Sequence, residues 1–225
     1  MLKVLQPLIQ MQFVDRDGNQ VDVDFEKEEQ FLVRKYIPVD GTVLEMGARY
    51  GTVSCAISEI LQDKSKHVAV EPDASVIEAL TKNRNSNNAG FRIYNGVVSR
   101  YGYNIHQNTS NQKYAEYGTY TQRSDDSTLN HMSLDELESE FKMKFDCVVA
   151  DCEGFFYDFV KENGERLKNM RVLIYEQDGI PWNEMIEKYN ELDEIFKSYG
   201  FKLIHTIPHP KYENNPRFHN VWVKE

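Results

Sequence analysis

The sequence predicts an α/β fold, a mostly parallel sheet with helices packed on both faces. Three observations carry the prediction. From Thr42 onward, short apolar runs alternate with amphipathic segments. A turn bounded by Gly47 and Gly51 separates the first run from the first helical pattern, and an acid, Glu71, ends the second run. Strand, helix, strand, helix, strand in that order buries a sheet from both sides.

Ahead of that core, residues 11–25 alternate in period two as Phe13, then Val21, Val23 and Phe25, around Asp15-Arg16-Asp17-Gly18, which predicts a hairpin. Residues 26–36 read as a helix on the spacing of Phe31, Leu32 and Tyr36, stopped by Pro38. One domain is expected over 1–225, with 1–40 as a hairpin and helix extension and 41–225 as the core. Within the core, Val43-Leu44 opens the first strand and 53–61 the first helix, then 67–70 a strand, 76–80 a helix and 91–94 a strand. The asparagine-rich run 83–88 reads as a helix end. Residues 96–130, rich in Tyr, Asn, Ser and Thr, alternate weakly and read as an insertion of loops or a hairpin near the ligand.

The α/β rhythm resumes with a helix over 133–141, a strand over 145–150, a helix over 155–161 and a strand over 171–175. Met185, Ile186, Tyr189, Leu192, Ile195, Phe196 and Tyr199 form one apolar stripe on a helix spanning about 183–199. Gly200 ends it, and 201–207 and 221–223 read as closing strands.

At 225 residues, with 40% hydrophobic and 28% charged side chains, the chain can bury a real core, which excludes a disordered or collagen-like protein. Its 26 basic and 36 acidic residues give a net charge of −10, opposed to phosphate backbones and anionic lipid surfaces, so nucleic acid is not an expected partner. Cys55, Cys147 and Cys152 lack the spacing of a zinc site or a disulfide framework and fit a reducing compartment. With no signal-peptide pattern and no long apolar segment, a cytoplasmic protein without a membrane span is expected.

The chemistry starts at Glu45-Met46-Gly47-Ala48-Arg49-Tyr50-Gly51. In a doubly wound fold, ligands bind beyond the carboxyl ends of the strands, and glycine in this turn lets the backbone approach them. The Gly-x-x-x-Gly spacing differs from the Gly-x-Gly-x-x-Gly of pyrophosphate sites and indicates a phosphate-poor ligand. Glu45 would attract a cation such as the amino or sulfonium group of S-adenosylmethionine. Glu71, twenty residues beyond Gly51, stands where an acid accepts both ribose hydroxyls of an adenosine.

Glu45-x-Gly47-x-x-x-Gly51 followed by Glu71-Pro72 resembles the class I methyltransferases, and more narrowly the FkbM family. Two later blocks extend the likeness: Ser133-Leu134-Asp135-Glu136-Leu137 and Asp151-Cys152-Glu153-Gly154. It covers about 41–178 and departs from the family at Arg49, where Asn is usual, at Val149, where Lys is common, and at Phe156, where a second acid is common. The resemblance implies a Rossmann-like, mostly parallel seven-stranded sheet and S-adenosylmethionine as cofactor. It implies methyl transfer to a hydroxyl of a sugar, free or within a glycan or glycoconjugate. The cofactor-binding residues it implies are Glu45, Gly47, Ala48, Tyr50, Gly51, Glu71 and Pro72, with Asn95 and Gly96 where such folds wrap the adenine. Tyr50 either lies over the cofactor or is a packed core aromatic.

A sugar hydroxyl is barely ionised near neutral pH, so its attack needs a general base or a metal-stabilised alkoxide. Asp151 and Glu153 end one strand, and Glu176 and Asp178 the next. Such a cluster is costly unless a cation neutralises it, and carboxylate oxygens alone suit a hard ion such as Mg²⁺. Asp151 is therefore the expected base or metal ligand, Glu153 and Glu176 are the second carboxylates, and Asp151, Glu176 and Asp178 form the expected metal set. Alternatively, Glu153 caps the following helix and Asp178 makes a turn with Gly179. His131 and His219 are the histidines placed to face a pocket.

A nicotinamide oxidoreductase or epimerase is the first rival, invited by Tyr157-x-x-x-Lys161 but lacking the glycine pattern that such enzymes use. A nucleic-acid methyltransferase would need a Pro-Pro-aromatic block where the chain has Asp151-Cys152-Glu153-Gly154. A non-catalytic binding module is the third, and the intact glycine turn opposes it.

Overall fold

The structure, a computed structural model, describes residues 11–107, 119–178, 182–209 and 215–224. A short antiparallel hairpin of β1 (Phe13–Val14) and β2 (Gln20–Val21) leads into α1 (Lys27–Tyr36). The core alternates β3 (Val43–Met46), α2 (Thr52–Ile60), β4 (His67–Glu71), a 3₁₀ turn over Ala74–Val76, α3 (Ile77–Ser86) and β5 (Arg92–Asn95). Four short strands follow: β6 (Val97–Val98), β7 (Tyr103–Gln107), β8 (Thr119–Arg123) and β9 (His131–Met132). The chain then forms α4 (Leu134–Phe141), β10 (Cys147–Ala150), α5 (Phe155–Leu167), β11 (Val172–Glu176), α6 (Trp182–Ser198), β12 (Phe201–Ile207) and β13 (His219–Lys224).

Seven strands form one sheet in the order β12-β13-β11-β10-β3-β4-β5. All are parallel except β13, which runs antiparallel to both β11 and β12. The strand order reverses at β3, so a crevice opens beyond the carboxyl ends of β3, β4 and β10. Met46 pairs with both Ala150 and Val70, and the three loops that leave those strands therefore emerge level with one another.

Alternation along the central strands divides the core. Leu44, Val148, Leu173 and Trp222 pack on one face with Phe156, Phe159 and Phe196. Val43, Val149, Ile174 and Val221 pack on the other with Ala56 and Ile57 of α2 and with Leu32 and Val33 of α1. Helix α1 is thus part of the layer covering the sheet rather than an appendage. Leu32 and Val33 are fully buried, each contributing about 1.5–3 kcal/mol of burial.

Two local readings change. The asparagine run does more than end α3: Asn83 donates to the Val14 and Tyr50 carbonyls at 2.8 and 2.9 Å and accepts the Val14 N–H at 2.9 Å. Asn87 bonds both backbone groups of Gln12, so the run clips the hairpin to the core. Helix α5 continues through Asn163-Gly164 to Leu167, because Gly164 makes room for the Tyr199 hydroxyl, 2.9 Å from where a Cβ would stand. Elsewhere the elements match, with Ser133 closing a capping box on α4 and the stripe of α6 buried at Met185, Tyr189, Leu192 and Phe196, half-buried at Ile195 and Tyr199, and exposed at Ile186. No helix among the described residues is long and apolar enough to cross a membrane.

Candidate functional site

A cavity of about 300 Å³ lies in the crevice at the strand-order reversal. Gly47 shapes its floor. With φ +93° and an imaginary Cβ 1.6 Å from the Asp151 carbonyl oxygen, it admits no side chain. The amides of Gly47 and Ala48 donate to the Val70 carbonyl at 3.0 and 3.2 Å, and the Asp151 amide donates to Met46 at 3.0 Å. These bonds stitch the ends of β3, β4 and β10 together.

Glu71 lines one wall, beside Pro72 and Gly96. One of its carboxylate oxygens accepts the Arg49 N–H and the other the Asp73 N–H, both at 2.8 Å. Burial pushes its pKa up to about 7 against the pull of those bonds. Asn95 does not line the cavity; its side-chain amide donates to the Glu71 carbonyl at 2.8 Å and to the Pro72 carbonyl at 3.3 Å and so braces the turn that presents Glu71. Gly96 is needed where it stands, because a Cβ would meet the Asn130 carbonyl at 2.5 Å.

The opposite wall is acidic. Asp151, Glu153 and Glu176 line it as the sequence predicts, and the sequence missed Glu26, which joins them from the N-cap of α1. With Glu71 this makes five carboxylates facing one guanidinium, Arg49, among the described lining residues. Glu29, on the first turn of α1, lies behind them and is 2% exposed. One ligand atom from each member lies within 4.8 Å of the others in three groups: Glu29, Glu176 and His219; Glu26, Glu29 and Asp151; Asp151, Glu176 and Asp178. Burial, followed by mutual repulsion, raises Glu29, Asp151 and Glu176 well above the usual carboxylate range. Burial likewise takes Glu26 up to about 7 and Glu153 up to about 8. It pushes His219 down to about 4, leaving a neutral imidazole at pH 7.

Several sequence expectations need correction. Glu45 is buried against the cavity's back rather than facing it, accepting the Ser54 hydroxyl at 2.5 Å and meeting His67 Nε2 at 2.9 Å. Tyr50 and Ala48 pack in the apolar cluster beneath the hairpin, with Phe13 and Leu80, so Tyr50 takes its core alternative. Gly51 sits at the N-cap of α2 with φ 82° and serves the turn without lining the cavity. Asp178 is already committed. Its two oxygens accept the Glu153 and Gly154 N–H groups at 2.7 Å each, and it takes the Tyr189 hydroxyl at 3.1 Å, so it caps α5 from the neighbouring strand end. Glu153 does not cap that helix, whose N-cap is Gly154. The Asp178–Gly179 turn lies partly outside the described residues.

Of the two histidines, His219 stands beside Glu176, whereas His131 is exposed on β9, outside the cavity, its ring Nδ1 meeting the Leu129 carbonyl at 3.4 Å. Tyr157 and Lys161 are tied to Glu191 on the surface, outside the cavity. The β7–β8 hairpin reaches the cavity through Ile105 and Thr121, as read for the polar insertion; its residues 108–118 lie outside the described residues, as do 210–214 of the tail.

Backbone strain marks the same place. Five non-glycine residues among those described have left-handed φ, and three of them, Glu26, Arg49 and Glu153, line the cavity. Such conformations persist where surrounding structure imposes them, commonly at ligand sites.

No protein-family profile matches the chain, and no curated relative does. Solved structures do. The O-methyltransferase of Bacillus cereus in complex with SAH matches at TM-score 0.54 and 15% identity, over 91% of this chain and 82% of that one. Cofactor-bound Rv0187 from MTB matches at TM-score 0.53 and 11% identity, over 90% and 80%. The precorrin-6y C5,15-methyltransferase of Geobacter metallireducens GS-15 matches at TM-score 0.52 and 13% identity, over 88% and 87%. The chain therefore has the Rossmann-like methyltransferase fold, and its structural neighbours are class I S-adenosylmethionine-dependent methyltransferases.

Proposed function

We propose that this chain is an S-adenosylmethionine-dependent O-methyltransferase whose acceptor is a hydroxyl of a sugar or similar polyol. One observation carries the reading: Glu71 and the pair Asp151 and Glu176 face each other across a single cavity at the strand-order reversal. The glycine turn, the buried Glu71 carboxylate and the Gly96 backbone fit a nucleoside on one wall. Gly47, Glu71, Pro72, Gly96 and Val97 are the residues that would hold the cofactor there. When bound, S-adenosylmethionine supplies an electrophilic methyl group on a sulfonium.

The chain's own groups supply the rest. Asp151, raised in pKa by burial and by its acidic neighbours, is a stronger base than an ordinary carboxylate and takes the acceptor's hydroxyl proton. Glu176 and Glu153 accept further hydroxyl hydrogens and orient a polyol, a task for which a wall of carboxylates suits a sugar better than an anionic acceptor. Phe25, Ile105 and Phe155 provide the apolar lining that excludes water. The narrower FkbM likeness rests on the four sequence blocks, three of which reach the cavity: through Gly47, through Glu71 and Pro72, and through Asp151, Cys152 and Glu153.

A nicotinamide enzyme is disfavoured because Tyr157 and Lys161 lie away from the cavity. The test is transfer of labelled methyl from S-adenosylmethionine to a panel of mono- and oligosaccharides. Product formation that falls by about 10²–10⁴-fold in Asp151→Asn supports the assignment of the base. Folded protein that binds S-adenosylmethionine yet methylates only non-hydroxyl acceptors rejects the O-methyl reading.

A further inference from the structure

We propose that Glu29, Glu176 and His219 form a binding site for one divalent ion of the first transition row, reached through the cavity that Glu176 lines. The three residues come from α1, β11 and β13, so the site exists only when the N-terminal helix covers the sheet. One ligand atom from each lies within 4.8 Å of the other two.

Two further observations point to an ion rather than to a merely crowded set of acids. Glu29 Oε1 is buried without a hydrogen-bond partner, in a residue 2% exposed. His219 Nδ1 is buried and unpartnered too, in a residue 6% exposed. Polar atoms buried in this way are rare unless something satisfies them. A shared proton does not: His219 Nδ1 and Glu176 Oε2 are 3.8 Å apart, beyond a hydrogen bond. That distance suits two ligands each about 2.0–2.2 Å from a common ion.

The donor set selects the ion. Among the described residues no Lys or Arg ion-pairs with Glu29 or Glu176, so the carboxylate charge faces no fixed cation. An imidazole nitrogen beside two carboxylates favours Mn²⁺, Fe²⁺ or Zn²⁺ over Mg²⁺, which prefers oxygen ligands and retained water. The all-carboxylate set of Asp151, Glu176 and Asp178 is the weaker one, since both Asp178 oxygens already accept backbone N–H groups. An ion at Glu29, Glu176 and His219 leaves Asp151 free to face an acceptor.

The test uses the full chain, stripped of metal with a chelator, and does not involve S-adenosylmethionine, so it stands or falls separately from the methyltransferase reading. Mn²⁺ binding is followed by loss of the free-ion electron paramagnetic resonance signal, with Zn²⁺ and Mg²⁺ as competitors. Circular dichroism confirms that each variant is folded. The proposal requires one tight Mn²⁺ per chain, displaced by Zn²⁺ far more readily than by Mg²⁺. Binding should weaken by about tenfold or more in both Glu29→Gln and His219→Gln, and hold in Glu71→Gln. Should either ligand variant misfold, bound Co²⁺ in the unaltered chain must show the visible spectrum of a nitrogen-ligated ion. Absence of binding, equal binding in all variants, equal competition by Mg²⁺, or an all-oxygen Co²⁺ spectrum overturns it.

Discussion

Gly47 packs its bare Cα against the backbone carbonyl of Asp151, so close that a Cβ would stand 1.6 Å from the oxygen. The contact joins the glycine turn after β3 to the loop after β10 that carries Asp151, the proposed base. Gly47→Ala should therefore cost about 2–5 kcal/mol, combining backbone strain at φ +93° with overpacking. Thermal unfolding measures it. A variant that melts within a degree of the unaltered protein would mean that the two loops are not locked together.

Glu71 has two tasks, holding the Arg49 and Asp73 amides and facing the cavity. Glu71→Gln keeps the size and one acceptor oxygen but loses the charge. It should weaken S-adenosylmethionine binding by about 10–100-fold, the range of one or two charge-assisted hydrogen bonds. Calorimetric titration checks this, and unchanged affinity would place the ribose elsewhere.

The acidic wall makes stability depend on pH. Carboxyls with raised folded-state pKa values contribute stability at low pH that is lost as pH rises through the folded value. Glu26 and Glu71 are raised from 4.5 to about 7 and Glu153 from 4.5 to about 8, so metal-free protein should lose stability as pH rises from about 4.5 to 8, by up to about 1.4 kcal/mol per pH unit for each proton that the folded chain holds and the unfolded chain has lost. His219 has the opposite sign: its folded pKa is depressed from 6.5 to about 4, so its contribution is lost as pH falls through that lower window. Melting temperature against pH in chelator tests both limbs. A rising curve from pH 6.5 to 8 would contradict the carboxyl assignment.

Asn83 is fully buried and bonds Val14 twice and Tyr50 once. Asn83→Ala strands the Val14 N–H and two carbonyls, and should cost about 2–4 kcal/mol. Hydrogen exchange should then show the hairpin opening ahead of the sheet. Uniform loss of protection across the whole chain would show instead that the hairpin is not a separate unit.

Much of the fold was legible because period two and period 3.6 are set by backbone geometry and by which faces are buried. Val43-Leu44 and Val148-Val149 feed opposite faces of one sheet, and such runs announce a doubly covered strand. Glu71, Asp151 and Glu176 were legible because strand ends in such a fold converge on one crevice. Glu26 and Glu29 were not. In sequence they are ordinary acids at the start of a helix, and only the packing of α1 against β11 and β13 brings them to the cluster. Glu45 misled for a related reason: its position matched a cofactor acid, but strand alternation turns it toward Ser54 and His67. Asp178 likewise occupies a ligand-like position while its oxygens serve the next helix.

The proposed function depends on S-adenosylmethionine binding in the crevice beside Glu71. Isothermal titration of the unaltered chain and of Glu71→Ala tests it most directly. Micromolar binding, one molecule per chain and abolished in the variant, is the expected result. Folded, unaltered protein that takes up no S-adenosylmethionine, or a variant that binds it equally well, would rule out a cofactor site beside Glu71.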